Sequence, residues 1–250
     1  MWIHYARVLF WEARRSAVRL RGVFHGRASV LSTAPHGLGL YDRLLREGLA
    51  TGRVRFLLTQ QFRDRSIDPR GVNLVLRHDI DADPERLFAM ADIEARRGIR
   101  STIYVRADER EYRLQDFADR LRELHAAGFE IGLHSVAYIT TRPDQALAAE
   151  ADVFGASLGF RPDLLTTHGM HPRSLRLAAR RECFIRRSVA AAWPTVFSDE
   201  FGGRRFDVYL GDANFDTGRT MTYITRDFVE FGGLAPGTTV QLLTHPQYWV

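Results

Sequence analysis

Apolar and polar positions follow two different rhythms along the middle of the chain, between residues 72 and 168. Short runs rich in apolar residues, typical of buried strands, alternate with longer segments whose apolar residues recur every three or four positions, typical of helices. The predicted strands are 72–76, 101–105, 129–133 and 164–167, and the predicted helices are 84–97, 114–127 and 143–158. A unit of about thirty residues is the size of a βα repeat, so the pattern predicts a parallel sheet that closes into a barrel.

The pattern is weaker on both sides of this region. A short helix at 42–49 and a strand at 54–58 precede it. After it come a helical segment at 174–181, candidate strands at 195–198, 208–210 and 221–224, a short helix at 225–231 and a clear last strand at 238–244. No low-complexity linker separates two domains, so we expect one barrel over residues 41–250 and a basic N-terminal extension, residues 1–40, packed on or beside it.

Carboxylates follow the first strand of the repeating region almost at once. Asp79 and Asp81 are two positions apart, so in an extended segment both side chains lean to the same side. Two carboxylates on one side repel each other and tend to share a cation or a proton. Asp83 and Pro84 then suit the N-cap and the first position of the next helix. The alternative is that these aspartates only cap a turn, which is a common role for this residue.

Histidines follow three later strands: His134, His168 and His245. In a parallel barrel the carboxyl ends of all strands share one rim, so we expect these imidazoles to meet Asp79 and Asp81 there. Aspartate and histidine together suit a divalent cation, with zinc as the default and other first-row metals as alternatives. The sequence therefore predicts a metal site at this rim.

Composition removes several other kinds of site. Cys183 is the one cysteine, which excludes an intramolecular disulfide and a cysteine zinc cage and makes a reducing compartment the expected one. All 35 basic residues are arginine. A lysine nucleophile or a lysine Schiff base is therefore excluded.

Charge is distributed unevenly. Residues 1–56 carry a net charge of +7 and the remainder carries −2, so the barrel itself gives no support to a nucleic-acid partner. The N-terminal segment has no secretory pattern, and no stretch reaches the roughly 18 apolar residues of a membrane span. We therefore expect a cytoplasmic protein. Peripheral contact of the basic N-terminal region with an anionic membrane surface is the alternative to packing on the barrel.

Three motifs occur in order along the chain. They are His-Asp-Ile-Asp at 78–81, Glu-Ile-Gly-Leu-His at 130–134 and Leu-Thr-His-Pro at 243–246. Together they resemble the polysaccharide deacetylases of the NodB-homology group, which are like carbohydrate esterase family 4, in the version whose first motif reads His-Asp-Val-Asp. The resemblance covers roughly residues 40–250. It implies an α/β fold, a distorted (β/α)7 barrel similar to a TIM barrel, and a carbohydrate substrate.

The resemblance also implies roles for the residues of these motifs. Asp79 corresponds to the general base and Asp81 to a metal ligand. His134 corresponds to a second metal ligand. His245 corresponds to the general acid that protonates the leaving amine.

The chain departs from the family at the second motif. The family usually carries a second histidine four positions after the first, where this chain has Tyr138. Three alternatives follow: Tyr138 ligates the metal, His168 supplies the third donor from the next strand, or the site no longer holds a metal. Arg161 is the candidate for the arginine of the family's third motif. Trp249 and Tyr248, which follow His245, are candidates for stacking on a sugar ring, and packing against the edge of the barrel is the alternative for such terminal aromatics.

The expected activity is that of a metal-dependent hydrolase that removes the acyl group from an N-acetylated sugar in a glycan or a glycan precursor. The first alternative is a non-catalytic glycan-binding relative that has lost the second histidine. The second alternative is an amide hydrolase that acts on a small non-sugar substrate, since the fold alone does not define the substrate.

Overall fold

The computed structural model describes residues 37–108, 110–137, 140, 142–168, 196–197, 206–212 and 234–249. Its strands are β1 Val54–Leu57, β2 Val72–Ile80, β3 Thr102–Val105, β4 Glu130–Ser135, β5 Leu164–Thr167, β6 Val196–Phe197, β7 Val208–Gly211 and β8 Thr239–Thr244. Its α-helices are α1 Leu38–Ala50, α2 Thr59–Arg63, α3 Pro84–Arg96, α4 Ala118–Ala126 and α5 Pro143–Leu158. Two 3-10 turns span Leu114–Phe117 and Pro246–Tyr248. None of the helices in these ranges is long and apolar enough to cross a membrane.

The described strands form one parallel sheet in the order β6-β5-β4-β3-β2-β8-β7, with β1 also beside β2. β1 pairs with the first half of β2 and β3 with the second half, so both share one edge, while β8 pairs along the other. Helices intervene between β2, β3, β4 and β5. This arrangement confirms the predicted α/β class with a parallel sheet and fits a (β/α) barrel-like fold. All strand carboxyl ends consequently lie at one end of the sheet.

Several boundaries differ from the predicted ones. β2 continues to Ile80 because both β3 and β8 pair with its second half, so Asp79 lies within the strand and not in a loop. α1 begins at Leu38, four residues earlier than predicted, and the short helix α2 was not predicted. The predicted elements at 174–181, 221–224 and 225–231, and most of the predicted N-terminal extension, lie outside the described residues.

Side chains of β2 alternate between two buried faces. On the outer face Leu76 belongs to a core cluster with Met90 of α3, whereas Val75 belongs to a different cluster inside the sheet's curve. Because a strand has a period of two, Arg77 and Asp79 share the inner face with Val75. The inner face thus leads from an apolar base to the charged residues near the carboxyl end of β2.

Gly132 in β4 leaves room for an aromatic ring beneath those charged residues. A Cβ added at Gly132 would lie 2.6 and 2.7 Å from two ring carbons of Tyr104 and 2.9 Å from the carbonyl oxygen of Leu164. The ring of Tyr104 lies 5.0 Å from the guanidinium carbon of Arg77, a cation–π distance. The glycine of the second motif is therefore needed for packing below Arg77.

The start of α3 is only partly as predicted. Pro84 is the first helical residue, and Asp83 precedes it with a left-handed backbone at φ 49°. The side chain of Asp83 makes no capping hydrogen bond, so the predicted N-cap interaction is absent at this helix. Its Oδ2 instead lies 3.7 Å from Nε of Arg86 on the protein surface.

Candidate metal centre

Three side chains from three strand ends converge at the carboxyl rim of the sheet. Oδ1 of Asp81, directly after β2, lies 2.9 Å from Nδ1 of His168 and 3.2 Å from Nε2 of His134. The two imidazole nitrogens are 3.1 Å apart. A tetrahedral zinc ion with bonds of about 2.0–2.1 Å holds its donors about 3.4 Å apart, so this nearly equilateral triangle has the right size for a cation of that kind.

Two buried polar atoms of these residues lack a hydrogen bond within the described part of the chain. Oδ1 of Asp81 is one of them, although two ring nitrogens lie within 3.2 Å of it. Nδ1 of His134 is likewise buried without a hydrogen bond within the described residues. A buried acceptor surrounded by donors at contact distance, without directed bonds, is the arrangement expected where a cation completes the site.

Electrostatics favours the protonation states that bind metals. Burial acts to raise the pKa of Asp81, but His134 and His168 hold it well below the ordinary aspartate value. Burial lowers the pKa of His134 below its usual 6.5, in spite of the opposing effect of Asp79 and Asp81. At neutral pH the carboxylate is therefore ionised and the His134 imidazole is neutral, as metal ligation requires.

Of the predicted alternatives for a third donor, His168 is the one found beside Asp81. It follows β5, and its backbone N–H donates to the carbonyl of Ser135 at 2.9 Å, which brings the two strand ends together. Tyr138 lies outside the described residues. Within the described part of the chain, Asp81, His134 and His168 are the cluster of carboxylate and imidazole groups suited to hold a metal ion.

Asp79 lies next to this triangle and is paired with an arginine. Arg77 donates from Nε to Oδ1 and from Nη2 to Oδ2, both at 2.7 Å, and Nη2 also donates to Thr166 at 2.6 Å. Oδ2 of Asp79 is 3.7 Å from Nε2 of His134. Burial acts to raise the pKa of Asp79, but Arg77 and His134 lower it below the ordinary value. Asp79 is thus an oriented, ionised carboxylate facing the centre.

His245 approaches the triangle from β8 and has a partner that the sequence did not reveal. Its Nδ1 lies 2.6 Å from Oδ1 of Asp212, and its backbone N–H donates to Oδ2 of Asp212 at 2.7 Å. Its Nε2 points toward Asp81, 3.8 Å from Oδ2. Burial acts to lower the pKa of His245, but Asp212 raises it above 6.5. Asp212 follows β7, and this position after a strand was the signal available in the sequence.

Two predicted substrate-binding residues are placed elsewhere. Trp249 is only 1% exposed, packs edge-on against Tyr41 and donates from Nε1 to Oδ2 of Asp212 at 2.9 Å, so it does not present its ring to a sugar. Arg161, the other candidate, lies exposed before the amino end of β5. β5 separates it from the rim where His168 lies. The arginine found beside Asp79 is Arg77, from the same strand.

His78, the first residue of the first motif, faces away from the centre. It is fully buried on the outer face of β2, where Nε2 contacts Glu94 at 2.7 Å and Nδ1 contacts the hydroxyl of Thr244 at 2.6 Å. Tyr41 donates its hydroxyl to the same oxygen of Glu94. This network connects α1, α3, β2 and β8, and it holds the residue that precedes His245.

Comparisons with known proteins give a likeness of fold. No protein-family model matches the chain, and no curated protein sequence matches it. A CE4 esterase from Streptococcus mutans is 16% identical, with 76% of this chain and 79% of that chain covered and a TM-score of 0.48. A family 4 acetyl xylan esterase from Clostridium thermocellum, in complex with a cobalt ion, is 17% identical, with 70% and 74% covered and a TM-score of 0.42.

A CE4 family pseudoenzyme from Bacillus anthracis is also similar. It is 14% identical at a TM-score of 0.43, with 69% of this chain covered, and the chain spans about half, 54%, of that protein. Whether this chain is catalytic, and on which substrate, depends on the residues of its own site.

Proposed function

We propose that this chain is a metal-dependent hydrolase that cleaves the N-acyl amide of an N-acetylated sugar, in a glycan or a glycan precursor. The position of Asp81 is the observation that supports this most directly. Its carboxylate lies within 3.8 Å of three imidazoles, those of His134, His168 and His245, and His245 is also paired with Asp212. Metal ligands, a base and an acid thus surround one space at the rim.

Asp81, His134 and His168 would hold the cation. One carboxylate and two imidazoles suit zinc, and other first-row divalent metals also accept this donor set. When bound, such a cation polarises an acyl oxygen and makes water acidic enough to react near neutral pH.

Asp79 is the general base of the proposed reaction. Its Oδ2 faces His134 at 3.7 Å and accepts a proton from the attacking water, whose oxygen adds to the acyl carbon. Arg77 keeps the carboxylate ionised and fixes its orientation through two hydrogen bonds.

His245 is the general acid. The contact with Asp212 keeps a proton on Nδ1 and stabilises the imidazolium, so Nε2 carries the proton that the leaving nitrogen receives. The C–N bond breaks as this proton is transferred, and the products are a carboxylate such as acetate and a free amine on the sugar.

The decisive experiment measures acetate release from N-acetylated oligosaccharides by protein that has been stripped of metal and reloaded with zinc, cobalt or manganese. We expect activity with at least one cation. Asp79→Asn is expected to lose about 100-fold or more in kcat while binding the same amount of metal. Asp83→Asn is the matched control. Asp83 is exposed in the loop after Asp81, and asparagine tolerates its left-handed backbone conformation, so this variant is expected to remain active.

Two outcomes would favour other functions. If the metal-loaded protein binds oligosaccharides but releases no acetate, the chain is a non-catalytic glycan-binding protein. If it hydrolyses small acylamides and leaves acetylated sugars intact, the substrate is not a sugar. A chain that binds no metal and is inactive with every cation would contradict the proposal.

A further inference from the structure

One exposed aromatic ring lies beside the candidate acid. Among the large apolar side chains of the described residues, Leu49 and Tyr248 are the exposed ones, at 39% and 41%. Leu49 belongs to α1 in the outer helical layer. Tyr248 ends the 3-10 turn that follows His245, and the centroids of the two rings are 5.8 Å apart at an interplanar angle of 58°. A single exposed apolar side chain is common on proteins, so it is the location of this one that is informative.

The turn that carries Tyr248 is held from several sides. The backbone N–H groups of Tyr248 and Trp249 donate to the carbonyls of His245 and Pro246 at 3.0 and 2.9 Å. Arg86 of α3 donates to the carbonyl of Gln247 at 2.7 Å. The next side chain, Trp249, is buried and bonded to Asp212. The exposed ring therefore projects from a backbone that is fixed on both sides.

An aromatic side chain that projects from a held backbone can contribute to carbohydrate binding. One face of a pyranose ring is covered by C–H groups, and an aromatic face desolvates these groups without ordering a flexible side chain. Fixing the ring in advance reduces the entropy lost when the ligand binds. The hydroxyl group at the ring's edge stays compatible with water, as is usual for tyrosine at partly wet surfaces.

We propose that Tyr248 is a specificity-determining residue that stacks on a pyranose ring of the substrate next to His245. This inference depends on the proposed function and assigns to Tyr248 a contact with a pyranose ring of the substrate. Of the two aromatic residues that the sequence offers for this role, Trp249 is buried and bonded to Asp212, and Tyr248 is exposed.

The test compares Tyr248→Ala, Tyr248→Phe and Leu49→Ala. The substrates are an N-acetylated glucosamine tetramer and a small acetyl ester that contains no sugar. We expect Tyr248→Ala to raise KM for the tetramer about 10-fold while kcat changes less than about 3-fold, with the ester unaffected. Tyr248→Phe keeps the ring and should stay within about 3-fold of the parent protein, as should Leu49→Ala.

A binding measurement separates this inference from the hydrolase proposal. Calorimetric titration of the tetramer into the Asp79→Asn protein, with and without Tyr248→Ala, reports stacking in the absence of turnover. If no acetate is released but Tyr248→Ala still weakens binding about 10-fold, the stacking role of Tyr248 is supported and the proposed hydrolysis is not. An unchanged Kd, an equal loss on tetramer and ester, or no binding of the tetramer by the parent protein would overturn the inference.

Discussion

The guanidinium group of Arg77 donates one hydrogen bond to each carboxylate oxygen of Asp79, both at 2.7 Å. The two residues are two positions apart on the inner face of β2, and their side chains are only 5% and 4% exposed. Taking two charges out of water costs several kcal/mol for each, so this pair persists because its geometry is bidentate and because Thr166 accepts a further bond from Arg77. The proposed general base, Asp79, is thus held by a residue of its own strand.

Replacing Arg77 by methionine should damage the protein in two measurable ways. Asp79 would remain buried without its partner, so we expect the free energy of unfolding in urea to fall by about 3–5 kcal/mol. Only His134 and His245 would then oppose the effect of burial, so the pKa of Asp79 should rise and the acid limb of the pH–rate profile should move to higher pH. The double variant Arg77→Met with Asp79→Leu removes both charges and should recover most of the lost stability. Equal stability of the single and double variants would contradict the role of the pair.

The identity of the third metal donor can be tested with one pair of variants. His168→Ala removes a nitrogen that lies 2.9 Å from Asp81, and we expect zinc affinity to fall by more than the 10- to 100-fold that the loss of an outer-shell partner typically costs. Tyr138→Phe removes the hydroxyl group of the rival donor and is expected to bind zinc normally. Elemental analysis after dialysis against a zinc buffer measures both. Zinc retained by His168→Ala and lost by Tyr138→Phe would reverse the assignment.

The main positions of this site could be predicted from the local sequence pattern, because the topology of a parallel sheet determines where residues at strand ends lie. Asp81, His134, His168 and His245 each follow a predicted strand, and in a parallel sheet every such position reaches the same rim. No knowledge of side-chain contacts was needed for that step. The same period of two that puts Asp79 on the inner face also puts Arg77 there, so this partner was within reach of sequence reasoning.

The remaining contacts depend on three-dimensional details that a local pattern does not contain. Asp212 pairs with a residue 33 positions later, and nothing near Asp212 indicates which strand end it faces. Trp249 is buried after the turn Pro246–Tyr248 and Tyr248 is exposed, and the sequence alone did not distinguish between these two candidates for stacking. Arg161 was selected because of its likeness to a motif, and the strand it precedes places it at the wrong end of the sheet.

The pH dependence of activity should reflect the pair formed by His245 and Asp212. Asp212 raises the pKa of His245, so the imidazole stays protonated to higher pH than a free imidazole does. The basic limb of the kcat/KM profile should therefore lie above pH 6.5. Asp212→Asn removes the negative charge, so this limb should move to lower pH and activity at pH 8 should fall about 10-fold or more. A pH–rate profile with metal-saturated protein measures the shift.

Trp249→Phe should shift the basic limb of the pH–rate profile in the direction opposite to the shift expected for Asp212→Asn. It removes the N–H donor from Asp212, so the carboxylate should attract the protonated His245 more strongly and the basic limb of the pH–rate profile should move to higher pH. Binding of the tetramer should change little, because the Trp249 ring is buried. Shifts of the same sign in Asp212→Asn and Trp249→Phe would contradict this account of how His245 is tuned.

Glu150 on α5 should make the protein less stable as pH rises. Its Oε1 accepts the N–H of Val136 at 3.2 Å, but Oε2 is buried without a hydrogen bond in the described structure. Burial raises the pKa of Glu150 to about 7, although the contacts with Ser135 and Val136 act in the opposite direction. The folded state then binds this proton more tightly than the unfolded state. The stability contributed by protonated Glu150 is complete below about pH 4.5 and is lost as the pH rises through about 7.

Glu150→Gln removes this titration and keeps an oxygen that can accept the N–H of Val136. At about 1.4 kcal/mol for each pKa unit, we expect the variant to gain roughly 2–3 kcal/mol on the parent protein between pH 5 and pH 8, measured by urea unfolding. Asp152→Asn changes an exposed carboxylate on the same helix and should show no such gain. A difference between Glu150→Gln and the parent protein that is the same at pH 5 and pH 8 would mean that Glu150 titrates normally. In that case the buried oxygen beside the end of β4 must be solvated in solution.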